Sequence, residues 1–365
     1  MTITAIAAIV GGLVLLVIGA EALVRGASRL ATMLGLSPLI IGLTIVAYGT
    51  SAPEMAVSVQ SSLAGQGDIS LGNVVGSNIF NILLILGLSS LITPLLVAQQ
   101  LVRLDVPIMI GVSALMLLFS WDGILSRSDG IILFLGGIVY TLFLVYQGRR
   151  EHDENVQAEY ASEYGKPVPL SGSALSTNLG FVVVGAILLV SGSHWLVNGS
   201  VSVAQDLGIS ELIIGLTIIS VGTSLPELVT SIVASLRGER DIAVGNVIGS
   251  NIFNILTALG LASMLAPEGI IVTNSARSFD IPIMIAATVA CLPIFATGNV
   301  ISRWEGILFL IYYLTYNSYL VLNTMHHEGI SVLTTVVGTF VAPLTIITFV
   351  IITFRTVRHQ HSGKV

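Results

Sequence analysis

The chain has 365 residues, 54% hydrophobic and only 9% Asp, Glu, Lys or Arg, against about 25% charged in a soluble domain. That deficit excludes an ordinary cytoplasmic enzyme, and 14 basic residues against 20 acidic ones leave no cationic face for nucleic acid. A mean hydropathy of +0.95 makes lipid the solvent, and the single cysteine, Cys291, allows no internal disulfide.

About 20 apolar residues cross a 30 Å hydrocarbon core as a helix. On that measure the charge-poor stretches predict spans at 4–24, 38–63, 70–95, 105–121, 129–147, 177–199, 211–236, 243–267, 280–297, 304–323 and 331–354. The stretches are continuous rather than alternating, which excludes a transmembrane barrel. The first lacks a basic leading region and carries Glu21, so it reads as a retained helix and not a cleaved signal. Between the fifth and sixth, residues 148–176 hold eight charged side chains without EF-hand spacing, and read as a solvated linker. Glu21 and His194, near helix ends, read as interfacial and solvated, and His326 and His327 as loop residues. The tail with Arg355, Arg358, His359 and His361 reads as an anchor at anionic head groups.

The chain repeats itself. Residues 42–54 (GLTIVAYGTSAPE) match 215–227 (GLTIISVGTSLPE) at nine of 13 positions, offset by 173. At the same offset 68–88 matches 241–261 at 16 of 21 positions. Gly19, Leu23, Val24 and Gly26 recur as Gly192, Leu196, Val197 and Gly199, and DVPIMI at 105–110 recurs as DIPIMI at 280–285. Each half is then a five-helix unit, with boundaries at 1–147 and 177–323 around the 148–176 linker. Residues 324–365 add an eleventh helix and a tail. An odd number of spans per unit forces the second to enter the bilayer from the opposite side. The expected fold is all-α and integral to the membrane: two inverted five-helix repeats forming a ten-helix core, plus one additional C-terminal transmembrane helix. In secondary transporters of this kind the substrate site lies at the midplane between repeats.

Cation counting orients the chain. With the N-terminus outside, twelve Lys or Arg fall in cytoplasmic segments, and only Arg127 and Arg277 fall outside. The positive-inside rule therefore puts the N-terminus out and the C-terminus in the cytoplasm.

Two acids fall within spans, Glu54 and Glu227, at equivalent positions of the repeat. A buried carboxylate costs several kcal/mol unless compensated, which makes an intramembrane acid a functional residue by default. At 1.5 Å per residue, Glu54 lies about 15 Å from the loop near 64, level with the gap between Ser77 and Asn81 on the next helix. Glu227 lies likewise between Ser250 and Asn254. Thr50 shares a helix face with Glu54. Asn73, Ser77 and Asn81 form one polar stripe, and Asn246, Ser250 and Asn254 another. Pro53 and Pro226 free backbone carbonyls beside the acids, while Gly49, Gly72, Gly76, Gly222, Gly245 and Gly249 let helices approach. All these groups are oxygens, with no histidine or cysteine at that depth, which argues for a hard cation and against zinc, copper or iron. Two carboxylates neutralise one Ca2+, at least two Na+, or protons.

These motifs, GTSAPE with GNVVGSNIFN and GTSLPE with GNVIGSNIFN, resemble the α-repeats of the calcium/cation antiporter superfamily, and within it the sodium/calcium exchangers of prokaryotic type. The resemblance covers spans one to ten. It implies that spans two, three, seven and eight surround the ions, with spans one and six sliding as a gating pair. Carried residue by residue, it implies ligands at Ala47, Thr50, Ser51, Glu54, Ser77 and Asn81, and at Ser220, Thr223, Ser224, Glu227, Ser250 and Asn254. The two acids would hold Ca2+ centrally and the hydroxyls and carbonyls flanking Na+. Some members place Asp at Asn254, and proton-coupled members place an acid in the second motif where this chain has Gly76 and Gly249.

The expectation is a non-enzymatic antiporter of the cell (inner) membrane that exchanges Ca2+ for Na+ by alternating access. No resident cofactor is expected. Its partners are Ca2+, Na+ and the lipid bilayer, without nucleic acid, and the working form is a monomer. The alternatives are a Ca2+/H+ exchanger, a cation channel and, last, an intramembrane enzyme, for which no base presents itself at midplane depth.

Overall fold

The computed structural model describes residues 3–150, 172–207, 220–296 and 298–324. The expected span 331–354, most of the 148–176 linker, His326, His327 and the basic tail lie outside these residues.

In chain order the helices are α1 (Ile3–Leu34), α2 (Pro38–Thr50), α3 (Ala52–Leu63), α4 (Gly67–Ile92), α5 (Leu101–Phe119) and α6 (Arg127–Arg150). After the linker come α7 (Gly172–Asp206), a single turn Ser220–Gly222, α8 (Leu225–Leu236), α9 (Arg240–Leu265), α10 (Ala276–Ala296) and α11 (Arg303–Thr324). Seven of these are long and apolar enough to cross a bilayer, eight if α2 and α3 count as one bent span. The fold is all-α and integral to the membrane.

Burial sorts the helices into layers. The apolar window of α9 is 100% buried and that of α4 72%, whereas α7 is only 22% buried. The outer helices turn Val10, Leu13 and Val17 of α1 and Leu135, Val139 and Leu142 of α6 outward. Lipid tails are as apolar as leucine, so such faces incur no penalty there. The polar stripes therefore run down the two most enclosed helices.

The stretch 38–63, expected as one helix, is broken. Helices α2 and α3 meet at a 46° bend on Ser51, whose φ of −81° and ψ of 6° depart from the helix. Pro53, in the first turn of α3, has no N–H to give the preceding turn and displaces its carbonyl. Ser224 repeats the geometry (φ −88°, ψ 6°) ahead of Pro226. Wider π-helical turns follow at Asn81–Ile85 and Asn254–Leu259, and at Leu101–Asp105 and Ala276–Asp280. Such turns re-aim side chains and collect at functional sites.

The halves are inverted. α1 packs antiparallel to α7 along a seam of small residues seven apart on each helix. A Cβ on Gly12 would lie 2.7 Å from the Gly192 carbonyl, one on Gly19 2.9 Å from that of Gly185, and one on Gly26 2.8 Å from that of Asn178. Backbone meets backbone, an approach only glycine permits. Four two-residue strands make the same point. β1 (Leu95–Leu96) pairs with β4 (Val300–Ile301), and β2 (Ile124–Leu125) with β3 (Ile270–Ile271), both antiparallel. In the repeat β1 corresponds to β3 and β2 to β4, so exchanging the halves carries one ribbon onto the other. Two acid–phenol contacts are related in this way as well: Tyr140 donates to Asp105 at 2.9 Å and Tyr316 to Asp280 at 3.0 Å.

Candidate functional site

The helix breaks place the two acids. Glu54 and Glu227 each sit in the first turn of the helix that restarts after the bend, and both are 0% exposed. A helix N-terminus carries positive partial charge, which favours an anion there. The hydroxyls at the breaks reach across the molecule. Ser51 donates to Glu227 Oε1 at 2.8 Å, and Ser224 donates to Glu54 Oε1 at 2.9 Å. Ser224 Oγ also lies 2.9 Å from Ser77 Oγ, itself 3.5 Å from Glu54 Oε1. Among the described residues no basic side chain is bonded to either carboxylate.

Asparagines tie the breaks to the central helices. Asn73 on α4 donates to the Glu54 carbonyl at 3.1 Å and to Ser58 at 3.0 Å. Asn246 on α9 donates to the Glu227 carbonyl at 3.4 Å and to Ser231 at 3.0 Å. Their side-chain oxygens accept from the opposite half, Asn246 from Thr50 at 3.0 Å and Asn73 from Thr223 at 3.1 Å. Lower on the stripes, Asn81 donates to Asn251 Oδ1 at 3.4 Å and Asn254 to Asn78 Oδ1 at 3.1 Å. The Ala47 carbonyl accepts from Ser51 N–H at 2.9 Å and from the Thr50 hydroxyl at 3.3 Å. Ser220 opens the turn before α8, and its side chain lies outside the described residues.

Apart from Asn251 Nδ2, which is buried without a hydrogen-bond partner, the amide donors in this network are spent on protein acceptors. Left over are oxygens: Glu54 Oε2, Glu227 Oε2, Asn81 Oδ1, Asn254 Oδ1 and Ser250 Oγ are all buried without a hydrogen-bond partner. Unmet buried acceptors cost about 1–3 kcal/mol each, more when charged. A hard cation, which takes six to eight oxygens at flexible geometry, satisfies such a set.

Asn78, Asn251, Ser58 and Ser231 are site-building residues that sequence reasoning missed. Asn78 and Asn251 stand off the four-residue stripes, whereas Ser58 and Ser231 follow the acids by four residues; all four are identical between the halves, which was the available signal. Of the glycines, Gly245 and Gly249 do meet the α2 backbone closely, with a Cβ 3.0 Å from the Leu39 carbonyl and 2.7 Å from that of Leu43. Gly222 abuts Val197, while Gly49 has only ordinary contacts. Gly72 and Gly76 have nothing within 4 Å among the described residues.

A model of the sodium/calcium exchanger protein family matches residues 4–147 and 177–322. The chain belongs to this family of membrane antiporters. The exchanger is 43% identical over 310 residues to the putative antiporter CaxA of Alkalimonas amylolytica, covering 84% of this chain and 95% of that one. It is 34% identical over 334 residues to the sodium/calcium exchanger MaX1 of Methanosarcina acetivorans, with the same coverage of 84% and 95%. It superposes on a solved structure of the sodium-calcium exchanger NCX_Mj with a TM-score of 0.75 at 31% identity, covering 88% of this chain and 100% of that one. The family transports ions and is not enzymatic.

The exchanger is not symmetric at its edges. Glu21 on α1, expected to be solvated, is paired with Arg237 at the end of α8, and Arg237 Nε donates to Glu21 Oε2 at 2.6 Å. One helical stretch on, Ser28 donates to Glu239 at 2.5 Å. Ser193 on α7 donates to the Gly222 carbonyl. The equivalent residues, His194 with Ala64, Val201 with Gln66, and Ala20, cannot form these bonds. His194 is exposed.

Proposed function

We propose that this exchanger moves Ca2+ one way and at least two Na+ the other across the cell (inner) membrane, by alternating access to a single site between the inverted halves. Glu54 and Glu227 would hold Ca2+, with Ser77, Ser250, Asn81 and Asn254 completing its oxygens. Thr50, Ser51, Ala47, Thr223, Ser224 and Ser220 would line the flanking Na+ positions. One observation carries the reading: two fully buried carboxylates, each bonded to the opposite half's serine and to no basic group among the described residues. The pair is neutral with one Ca2+ or two Na+, and too costly to carry empty through the conformational midpoint. Exchange rather than leak follows from that cost. Gly76 and Gly249, in place of an acid, favour Na+ over H+ as the coupling ion.

The excess of Lys and Arg on one side supports an orientation with the Arg237–Arg240 turn and the C-terminus in the cytoplasm and the N-terminus outside. In that orientation the α1 contacts to Arg237 and Glu239 close the cytoplasmic side. α1 and α7, joined along the glycine seam, would slide together as the gate.

The test is radiolabelled Ca2+ flux in proteoliposomes under separately imposed Na+, K+ and pH gradients. An outward Na+ gradient drives Ca2+ uptake, and Glu54→Gln or Glu227→Gln abolishes it. Uptake driven by a pH gradient without Na+ would replace Na+ coupling by H+ coupling. Retained exchange in both glutamine variants would overturn the site.

A further inference from the structure

We infer that Asn78 is a positioning residue that decides which end of the Asn254 amide faces the transported cation, and thereby sets Ca2+ affinity. This rests on the Ca2+ site proposed above. An asparagine amide has almost the same shape either way round, yet one end is a carbonyl oxygen that ligates a cation and the other an NH2 that repels it. Nothing in the amide itself selects the oxygen.

The selection begins at a main-chain group that can play only one part. Asn78 Nδ2 donates to the Asn251 backbone carbonyl at 3.2 Å, and a carbonyl only accepts. Asn78 is therefore held with its NH2 toward α9, and its Oδ1 must serve as the acceptor on the other side. That oxygen accepts Asn254 Nδ2 at 3.1 Å. Asn254 in turn spends its NH2 on Asn78 and keeps its own Oδ1 buried without a hydrogen-bond partner. In the other half Asn251 Oδ1 accepts Asn81 Nδ2 at 3.4 Å, but Asn251 Nδ2 has no partner, so the main-chain anchor belongs to the Asn78–Asn254 pair alone. All four asparagines are 0–1% exposed. Asn81 and Asn254 open the two π-helical turns, one helical turn beyond Ser77 and Ser250 on the polar stripes. An aspartate at 254 has no N–H for Asn78, so this pairing is specific to the neutral amide.

The experiment is a double-mutant cycle on Ca2+ binding to the purified full chain, read as the Kd for radiolabelled Ca2+ rather than as transport. Asn78→Leu removes the acceptor and lets the Asn254 amide turn over. Its Kd rises by roughly 10–100-fold, the usual effect of losing an outer-shell partner of a metal ligand. In the N254D background the same substitution changes Kd by less than about twofold, because a carboxylate presents oxygen in either orientation. An equal loss in both backgrounds means that Asn78 only packs, and overturns the inference. Asn78→Ala carries the same cycle if Asn78→Leu does not purify as a monodisperse protein. Glu54→Gln and Glu227→Gln are run beside it. Unchanged Ca2+ binding in those two would remove the site itself, an outcome separate from the failure of the cycle.

Discussion

Ser51, in the break between α2 and α3, donates to Glu227 on α8 at 2.8 Å, while its counterpart Ser224 donates to Glu54 at 2.9 Å. Each acid thus takes a proton donor from the other half of the chain, and neither half can build the site alone.

The two serines are equivalent in sequence but not in surroundings, because Ser224 Oγ also lies 2.9 Å from Ser77 Oγ. A hydrogen bond to a charged group contributes about 1.5–3 kcal/mol. Ser51→Ala is expected to raise the KM for Ca2+ roughly tenfold and Ser224→Ala roughly a hundredfold. Flux measured against Ca2+ concentration checks the order of the two effects.

The α1–α7 seam leaves no room for a methyl group. A Cβ on Gly185 would lie 2.6 Å from Leu23 N, whereas Gly180 on the same helix has nothing within 4 Å. Gly185→Ala should destabilise the exchanger by about 1–3 kcal/mol through overpacking, and Gly180→Ala should stay within about 0.5 kcal/mol. Thermal unfolding in detergent separates them.

Glu21 and Arg237 are 38% and 48% exposed at their side chains, so their ion pair should contribute under about 1 kcal/mol and weaken with salt. Its effect is expected instead on the proposed gate. Ala234 is buried between α1 and α8, and the only natural cysteine, Cys291, is itself buried. With a reporter cysteine introduced at Ala234, combining Glu21→Gln with Ser28→Ala should speed its labelling by a membrane-impermeant maleimide several-fold from the cytoplasmic face. Unchanged labelling means these contacts do not hold the gate.

Tyr140 and Tyr316 make the same contact at different depths: Asp105 is 0% exposed and Asp280 half-buried. Tyr140→Phe removes a donor from a carboxylate that water cannot reach, at a cost of about 1–3 kcal/mol. Tyr316→Phe should cost less, since its acceptor Asp280 is only half-buried. Paired unfolding measurements decide, and an equal loss would show that burial is not what distinguishes them.

Composition and hydropathy alone established an all-α membrane protein, because a lipid solvent demands long apolar helices whatever the tertiary arrangement. The repeat established which residues are equivalent, so Glu54 and Glu227 stood out before any coordinates were known. Equivalence is not contact, however. That Ser51 bonds Glu227 rather than its near neighbour Glu54 depends on how the halves cross, and a repeat offset carries no such information. The bend at Ser51 was hidden inside one apolar stretch, since hydropathy does not register a change of direction. Asn78 and Asn251 fell off the four-residue stripe because each comes one residue after a stripe serine, Ser77 or Ser250, about 100° round a regular helix. The glycine spacing of seven on α1 and α7 was present in the sequence as a pattern. Only the antiparallel packing of the two helices, where backbone meets backbone, decided what the pattern was for.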